Sequence, residues 1–244
     1  MSLSLPRFIA HRGASGVEPE NSLAAFRKAA ELGADWVEFD VMLTADGVPV
    51  VHHDDDLARV TGIERPMAET RYAELRTINA GLEEPIPSLS ETLALLQSLG
   101  LSANVEIKPT PGEARRTAEQ VMATLSEFWR GANPPLISSF AWDALEVAAE
   151  RRPNWPRGLL LHVNPKNGRQ SPKGDWREAA ERLDVSSLHV NKEAARPELI
   201  AEAKGLGLLF LVYTVNELAE AKALLAAGVD SVFTDYVAEM TALD

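Results

Sequence analysis

The chain has 244 residues, no cysteine and a formal net charge of −12. The missing thiols rule out disulfides, a thiolate zinc site and a cysteine nucleophile. The acidity argues against nucleic acid and against stable adhesion to an anionic membrane, while leaving open a small anionic ligand held by a few local cations or a metal.

The N-terminal residues do not read as a signal peptide, and no apolar run approaches the ~18 residues of a membrane span. A cytoplasmic location is the expectation. From there the chain alternates short apolar runs with amphipathic ones. A first strand covers Arg7 to Ala10, a helix runs from Asn21 to Leu32 and stops at Gly33, and a second strand covers Trp36 to Val41. Asp46-Gly47 reads as a tight turn that carries Val48 to Val51 into His52-His53-Asp54. Residues 55–87 break the rhythm: they are polar, hold Pro66, Pro85 and Pro87, and carry one weak helical run near Ala68 to Leu75. Ser88 and Glu91 then have the spacing of a capping box that opens a helix to Leu99. Strands follow at Ala103–Ile107, Pro135–Ser138, Gly158–His162, Ser187–Val190, Leu208–Val212 and Ser231–Phe233. Helices lie between them at Glu113–Trp129, Trp142–Arg151, Asp175–Leu183, Arg196–Lys204 and Glu217–Ala227, and a short tail helix closes the chain. Eight βα units with no linker between them predict an α/β protein, a (β/α)₈ barrel in one domain spanning residues 1–244 with an insertion at about 55–87. An open doubly wound sheet is the alternative, weakened by the lack of a Gly-x-Gly-x-x-Gly after the first strand.

In a barrel the chemistry sits at the C-terminal ends of the strands. Nearly every predicted strand ends there in a polar group: His11-Arg12-Gly13, Glu38 and Asp40 leading to His53, Glu106 and Lys108, Ser138-Ser139-Phe140, His162, His189 and Asn191, Tyr213-Thr214-Val215-Asn216, and Thr234-Asp235. Glu38 and Asp40 alternate onto one strand face, where their repulsion needs an offset. With Glu106 they form three hard oxygen ligands suited to one divalent cation, Mg²⁺ or Ca²⁺. Arg12 and Lys108 supply cations for phosphate, and His11 and His53 an acid/base pair for attack at phosphorus. Plainer readings stand beside these. Glu38 and Asp40 could form a solvent-facing edge, His11 could be a core histidine and Lys108 a surface lysine. Phe140 and Tyr213 could be core aromatics rather than substrate contacts. His52 reads as structural or exposed, since only one of two adjacent residues can face inward. His162 and His189 read as pocket-lining or structural. Asp54 to Asp56 read as a solvated loop in which Asp54 could orient His53.

The ordered series of these motifs resembles the glycerophosphodiester phosphodiesterase family, in particular its short cytosolic bacterial members. It is carried by His11-Arg12-Gly13, Pro19-Glu20-Asn21-Ser22, Glu38-Phe39-Asp40-Val41, Thr44-Ala45-Asp46-Gly47, Val50-Val51-His52-His53-Asp54, Ile86-Pro87-Ser88-Leu89, Val105-Glu106-Ile107-Lys108, Ser139-Phe140, Tyr213-Thr214-Val215-Asn216 and Thr234-Asp235. The resemblance implies hydrolysis of glycerophosphodiesters, such as glycerophosphocholine and glycerophosphoethanolamine, to sn-glycerol 3-phosphate and an alcohol. It further implies attack by the substrate's own glycerol hydroxyl through a cyclic phosphate. It maps His11 and His53 to the acid/base pair, Glu38, Asp40 and Glu106 to the metal, and Arg12 and Lys108 to the phosphate. Glu20 falls beside the site to hold Arg12 or the glycerol, and Phe140 and Tyr213 join the substrate contacts. Ser22 where Thr is usual, Tyr213 where Trp is frequent and the lack of a proline after Asp235 are departures outside the metal and acid/base set. The expected partner is thus a small-molecule substrate, with no nucleic acid and no stable membrane association, and a homodimer is carried as an open oligomeric expectation. A lysophospholipase D-like or phosphoinositide-cleaving barrel, and a barrel that binds phosphodiesters without cleaving them, are the competing functions.

Overall fold

The structure is a computed structural model that describes residues 3–78 and 84–243. Its strands are β1 (Phe8–His11), β2 (Trp36–Leu43), β3 (Pro49–Val51), β4 (Ser102–Ile107), β5 (Leu136–Ser139), β6 (Arg157–Val163), β7 (Gln170–Ser171), β8 (Ser187–Asn191), β9 (Leu209–Tyr213) and β10 (Ser231–Thr234). Apart from β3 and β7, which add antiparallel to β2 and β6, the strands form one parallel ring in the order β1-β2-β4-β5-β6-β8-β9-β10. The ring closes because β1 pairs with both β10 and β2. This is the closed eight-stranded barrel expected from the eight βα units, not the open sheet.

The helices are α1 (Leu23–Glu31), α2 (Ala58–Thr61), α3 (Tyr72–Leu75), α4 (Leu89–Leu99), α5 (Ala114–Phe128), α6 (Trp142–Arg151), α7 (Trp176–Arg182), α8 (Pro197–Gly205), α9 (Leu218–Ala226) and α10 (Val237–Met240). Strand alternation sorts the core into two layers. Val37, Phe39, Val41, Ala103, Val105 and Ile107 face outward into the large core with the helices. Ile9, Trp36, Leu136, Leu211 and Phe233 cluster separately as the inner set. Glu38 and Asp40 fall two and four residues from Trp36, and Glu106 pairs in register with Asp40, which turns all three into the barrel as well.

Local chemistry sets the helix starts. Ser88 and Glu91 form the expected capping box on α4, and Asp175 caps α7 by accepting from the Arg177 backbone N–H. The first helix begins two residues later than Asn21, because the Ser22 side chain caps it and Asn21 is held at φ 58°. That left-handed backbone is incompatible with a helical turn, and asparagine is among the few side chains that adopt it readily.

The excursion after β3 is built around a small core of its own: Met42, Val50, Leu57, Met67, Leu75 and Ile86. The expected single helix near residues 68–75 is instead a 3₁₀ turn at Met67–Glu69 followed by α3, and α2 precedes both. One-turn helices carry too few residues to show a helical period, and burial of Leu57, Met67 and Leu75 decides their geometry. Residues 79–83 of that excursion lie outside the described residues. The two-residue strand β7 was likewise too short to be read from the sequence.

Candidate active site

β2 is the foundation. All eight of its residues are buried, including Glu38 and Asp40, which are 4% and 2% exposed. Parallel pairing puts His11 beside Glu38 and Asp40 beside Glu106. Glu38, Asp40 and Glu106 each bring an oxygen within 4.8 Å of the others. Burial, then the charges of Asp40 and Glu106, push Glu38 well above the usual carboxylate range. Burial, then Asp40, lift Glu106 to about 8. Burial also acts on Asp40, but the charges of Arg12, Lys108 and His53 and a hydrogen bond from Asn21 hold it below its ordinary value. Two acids, one buried and one half-buried, kept from ionising by desolvation and then by their neighbours, beside a third that is ionised, fit a hard divalent cation: its charge would offset both the burial and the repulsion.

The cations close over this cluster. Arg12 Nε lies 3.3 Å from Asp40 Oδ2, and Lys108 Nζ 3.9 Å from Asp40 Oδ1. Arg12 adopts φ 56°, which lets its backbone N–H donate to Glu38 Oε2 at 3.1 Å. The next residue, Gly13, must be glycine: a Cβ there would sit 2.7 Å from the backbone of Ala25 in α1. Glu20 holds Arg12 rather than standing free, accepting from its Nη1 at 2.8 Å. Asn21 donates to Asp40 Oδ2 at 2.9 Å and accepts from the Asp40 backbone at 3.3 Å.

Both candidate histidines are anchored the same way. His11 Nδ1 lies 2.7 Å from Asp235 Oδ1, and His53 Nδ1 lies 2.6 Å from Asp54 Oδ1. Burial raises Asp235, but bonds and charge from His11 and bonds from Asn216 and Ser15 outweigh it and bring the acid to about 2. Asp54 is also held below its ordinary value, against burial, by bonds from Arg59 and His53. An ionised carboxylate only accepts, so each Nδ1 carries the proton and each Nε2 is left as the reactive nitrogen. His11 Nε2 is 3.9 Å from Glu38 Oε2. Burial, reinforced by Arg12 and Lys108, lowers His53 against the pull of Asp40 and Asp54.

These groups line one cavity of about 220 Å³. Phe140 and Tyr213 form part of its wall, edge to face with ring centroids 6.2 Å apart, and the Tyr213 hydroxyl donates to Leu161 O at 2.7 Å. The cavity therefore brings together His11, Arg12, Glu38, His53, Glu106, Lys108, Phe140 and Tyr213, with Asp40 and Glu20 directly behind Arg12. His52 turns away, buried, with Nε2 2.9 Å from Asp56 O, and His162 and His189 line the cavity. The sequence reading assigned no role to Asn21, Ser15, Asn216 or Asp235. All sit in or beside the quoted motifs, but Asp235 is 224 positions from His11, and only barrel closure joins them.

The fold is a closed (β/α)₈ barrel, and its pocket gathers two anchored imidazoles, two cations and a cluster of carboxylates at one end. Residues 11–239 match the Glycerophosphoryl diester phosphodiesterase family. A glycerophosphodiester phosphodiesterase of Caldanaerobacter subterraneus subsp. tengcongensis is 33% identical, covering 93% of each chain. An Oleispira antarctica phosphodiesterase, solved in complex with the product sn-glycerol-3-phosphate, is 34% identical and superposes with a TM-score of 0.90 over 98% of this chain and 96% of its own. A Thermotoga maritima glycerophosphodiester phosphodiesterase gives a TM-score of 0.79 at 28% identity, over 99% of this chain and 100% of its own. The chain belongs to the glycerophosphoryl diester phosphodiesterase family and is an enzyme of that class.

Proposed function

We propose that this chain, as one barrel domain, hydrolyses small glycerophosphodiesters, among them glycerophosphocholine and glycerophosphoethanolamine, to sn-glycerol 3-phosphate and an alcohol. One observation carries the reading: two imidazoles, each with Nδ1 fixed on a carboxylate, share a cavity with Arg12, Lys108 and three clustered carboxylates. The product bound by the Oleispira relative supports sn-glycerol 3-phosphate as the product here.

Arg12 and Lys108 bind the phosphate oxygens and orient phosphorus between the two histidines. One Nε2 takes the proton of the substrate's glycerol hydroxyl as its oxygen attacks phosphorus. The bond to the head-group oxygen breaks, and the other imidazole, protonated, gives its proton to that leaving oxygen. Water then opens the cyclic phosphate with the two roles exchanged. Glu38, Asp40 and Glu106 would hold one divalent cation, Mg²⁺ or Ca²⁺, which when bound polarises the phosphate oxygens. Phe140 and Tyr213 wall the cavity on the substrate's apolar edges. No helix among the described residues is long and apolar enough to cross a membrane.

The test is release of glycerol 3-phosphate from glycerophosphocholine and glycerophosphoethanolamine, with and without EDTA, beside a His11→Ala variant. Release that EDTA abolishes, that Mg²⁺ or Ca²⁺ restores and that the variant lacks supports the reading. Undiminished release by His11→Ala removes the acid/base assignment, and no release by the metal-replete protein removes the substrate.

A further inference from the structure

The two anchored halves of the site are not independent. Asp54, behind His53, and Glu20, behind Arg12, meet on one guanidinium. Arg59 Nε donates to Asp54 Oδ2 at 2.6 Å, while its Nη1 and Nη2 donate to Glu20 Oε2 and Oε1 at 2.8 and 2.7 Å. Glu20 Oε1 also accepts from Arg12 Nη1. An unbroken line runs from the His53 ring through Asp54, Arg59 and Glu20 to Arg12. Arg59 belongs to α2, the first helix of the excursion, which is a single turn anchored by the neighbouring buried Leu57.

This line contributes little to holding the fold. The Arg59 side chain is 50% exposed, and ion pairs so open to solvent add little to stability. Its geometry is nevertheless specific. Both oxygens of Glu20 are engaged by the guanidinium fork, and the second oxygen of Asp54 is engaged by Nε, leaving Oδ1 turned toward His53. A lysine could serve one of these acceptors but not bridge all three, because it is a point charge without a fork.

We propose that Arg59 is a positioning residue that locks Asp54 and Glu20 together, and so sets the His53 ring and the Arg12 guanidinium in fixed relation across the cavity. The excursion thereby supplies a strut for the acid/base histidine and the phosphate-binding arginine. The inference rests on the roles given above to His53 and Arg12. Loss of the strut leaves Asp54 held by His53 alone and Glu20 by Arg12 alone, so nothing ties the two halves of the site together.

The full chain with its divalent cation is compared with Arg59→Ala, Arg59→Lys and, as a control within the same excursion, Arg65→Gln, whose parent side chain pairs with Glu74 away from the cavity. Turnover of glycerophosphocholine by Arg59→Ala is expected to fall about 10- to 100-fold, the range typical of losing a group that orients a functional residue. The loss appears mainly in kcat, the melting temperature stays near that of Arg65→Gln, millimolar methylguanidinium restores part of the rate, and Arg59→Lys recovers little. Independently of turnover, the ¹⁵N–¹H correlation of the His53 ring, one of five histidines, shifts in Arg59→Ala while that of His189 does not. Wild-type kcat in Arg59→Ala, or a loss that follows melting and resists methylguanidinium, overturns the proposal. So does an unchanged His53 spectrum, which is decisive even if glycerophosphodiesters prove not to be substrates.

Discussion

Each end of the barrel carries an arginine and a hollow, and the two differ in a way that separates structure from function. At the N-terminal ends of the strands, a hollow of about 610 Å³ is lined by Trp36, Trp155, Pro153, Pro156 and Arg157. Arg157 is buried, and all three of its nitrogens donate to backbone carbonyls: Nε to Leu183, Nη1 to Pro153 and Trp155, and Nη2 to Asp184. At the other end the cavity is about 220 Å³, yet Arg12 there has a buried Nε with no hydrogen-bond partner among the described residues and stands within reach of Asp40. Size does not mark the active end. What differs is that Arg157 spends every donor nitrogen on the backbone, whereas Arg12 keeps one that only Asp40 approaches, where a ligand in the cavity can complete it.

The contrast can be broken by substitution. The largest effect is expected from His53→Ala, which should lower kcat by about 10²- to 10⁴-fold with an unchanged urea midpoint, the usual loss of a general acid or base. Arg157→Met should do the opposite. Leaving the buried Leu183 carbonyl and the half-buried Trp155 carbonyl unpaired is expected to cost about 1–3 kcal/mol in urea unfolding, with kcat per folded molecule unaltered. A wild-type urea midpoint for Arg157→Met would end the distinction between the two arginines. Asp235→Asn keeps the shape behind His11 but replaces its ionised acceptor, and it should lower kcat by about 100-fold at unchanged stability.

The smallest effect concerns His189, inside the barrel between these ends. Burial alone drops it to about 3, its Nε2 is 2.8 Å from Ser187 Oγ, and Phe233 packs on its ring. It fits only because residue 158 is glycine, where a Cβ would stand 2.5 Å from Nε2. The folded value lies below the unfolded value of about 6.5, so the unfolded chain binds the extra proton between them. The contribution is complete above about pH 6.5 and is lost on acidification, by up to about 1.4 kcal/mol per pH unit. Urea midpoints from pH 7 to 4.5 should therefore fall less steeply in His189→Gln than in the parent. Parallel slopes would show that the buried histidine is not held neutral.

Much of this was legible in the residues because it is local. Alternation put Glu38 and Asp40 on one face, the Ser88–Glu91 spacing opened α4, and eight repeats of strand and helix implied a closed ring. The ordered motifs pointed to the cavity residues, which the strand ends then brought together. The short elements of the excursion and the left-handed Asn21 were not legible, since one turn of helix has no period and Asn21 is held by Asp40, nineteen positions away.

The chain by itself determined the barrel and the kinds of groups at its mouth, because strand period and helix caps act over a few residues. Only the tertiary structure decided which carboxylate serves which partner. Asp235 reaches His11 when β10 closes against β1, and Arg59 reaches Glu20 when the excursion folds back to the loop between β1 and α1. Hydrogen bonds between such distant positions follow from ring closure and from the burial of Leu57, Met67 and Leu75, which no local pattern encodes.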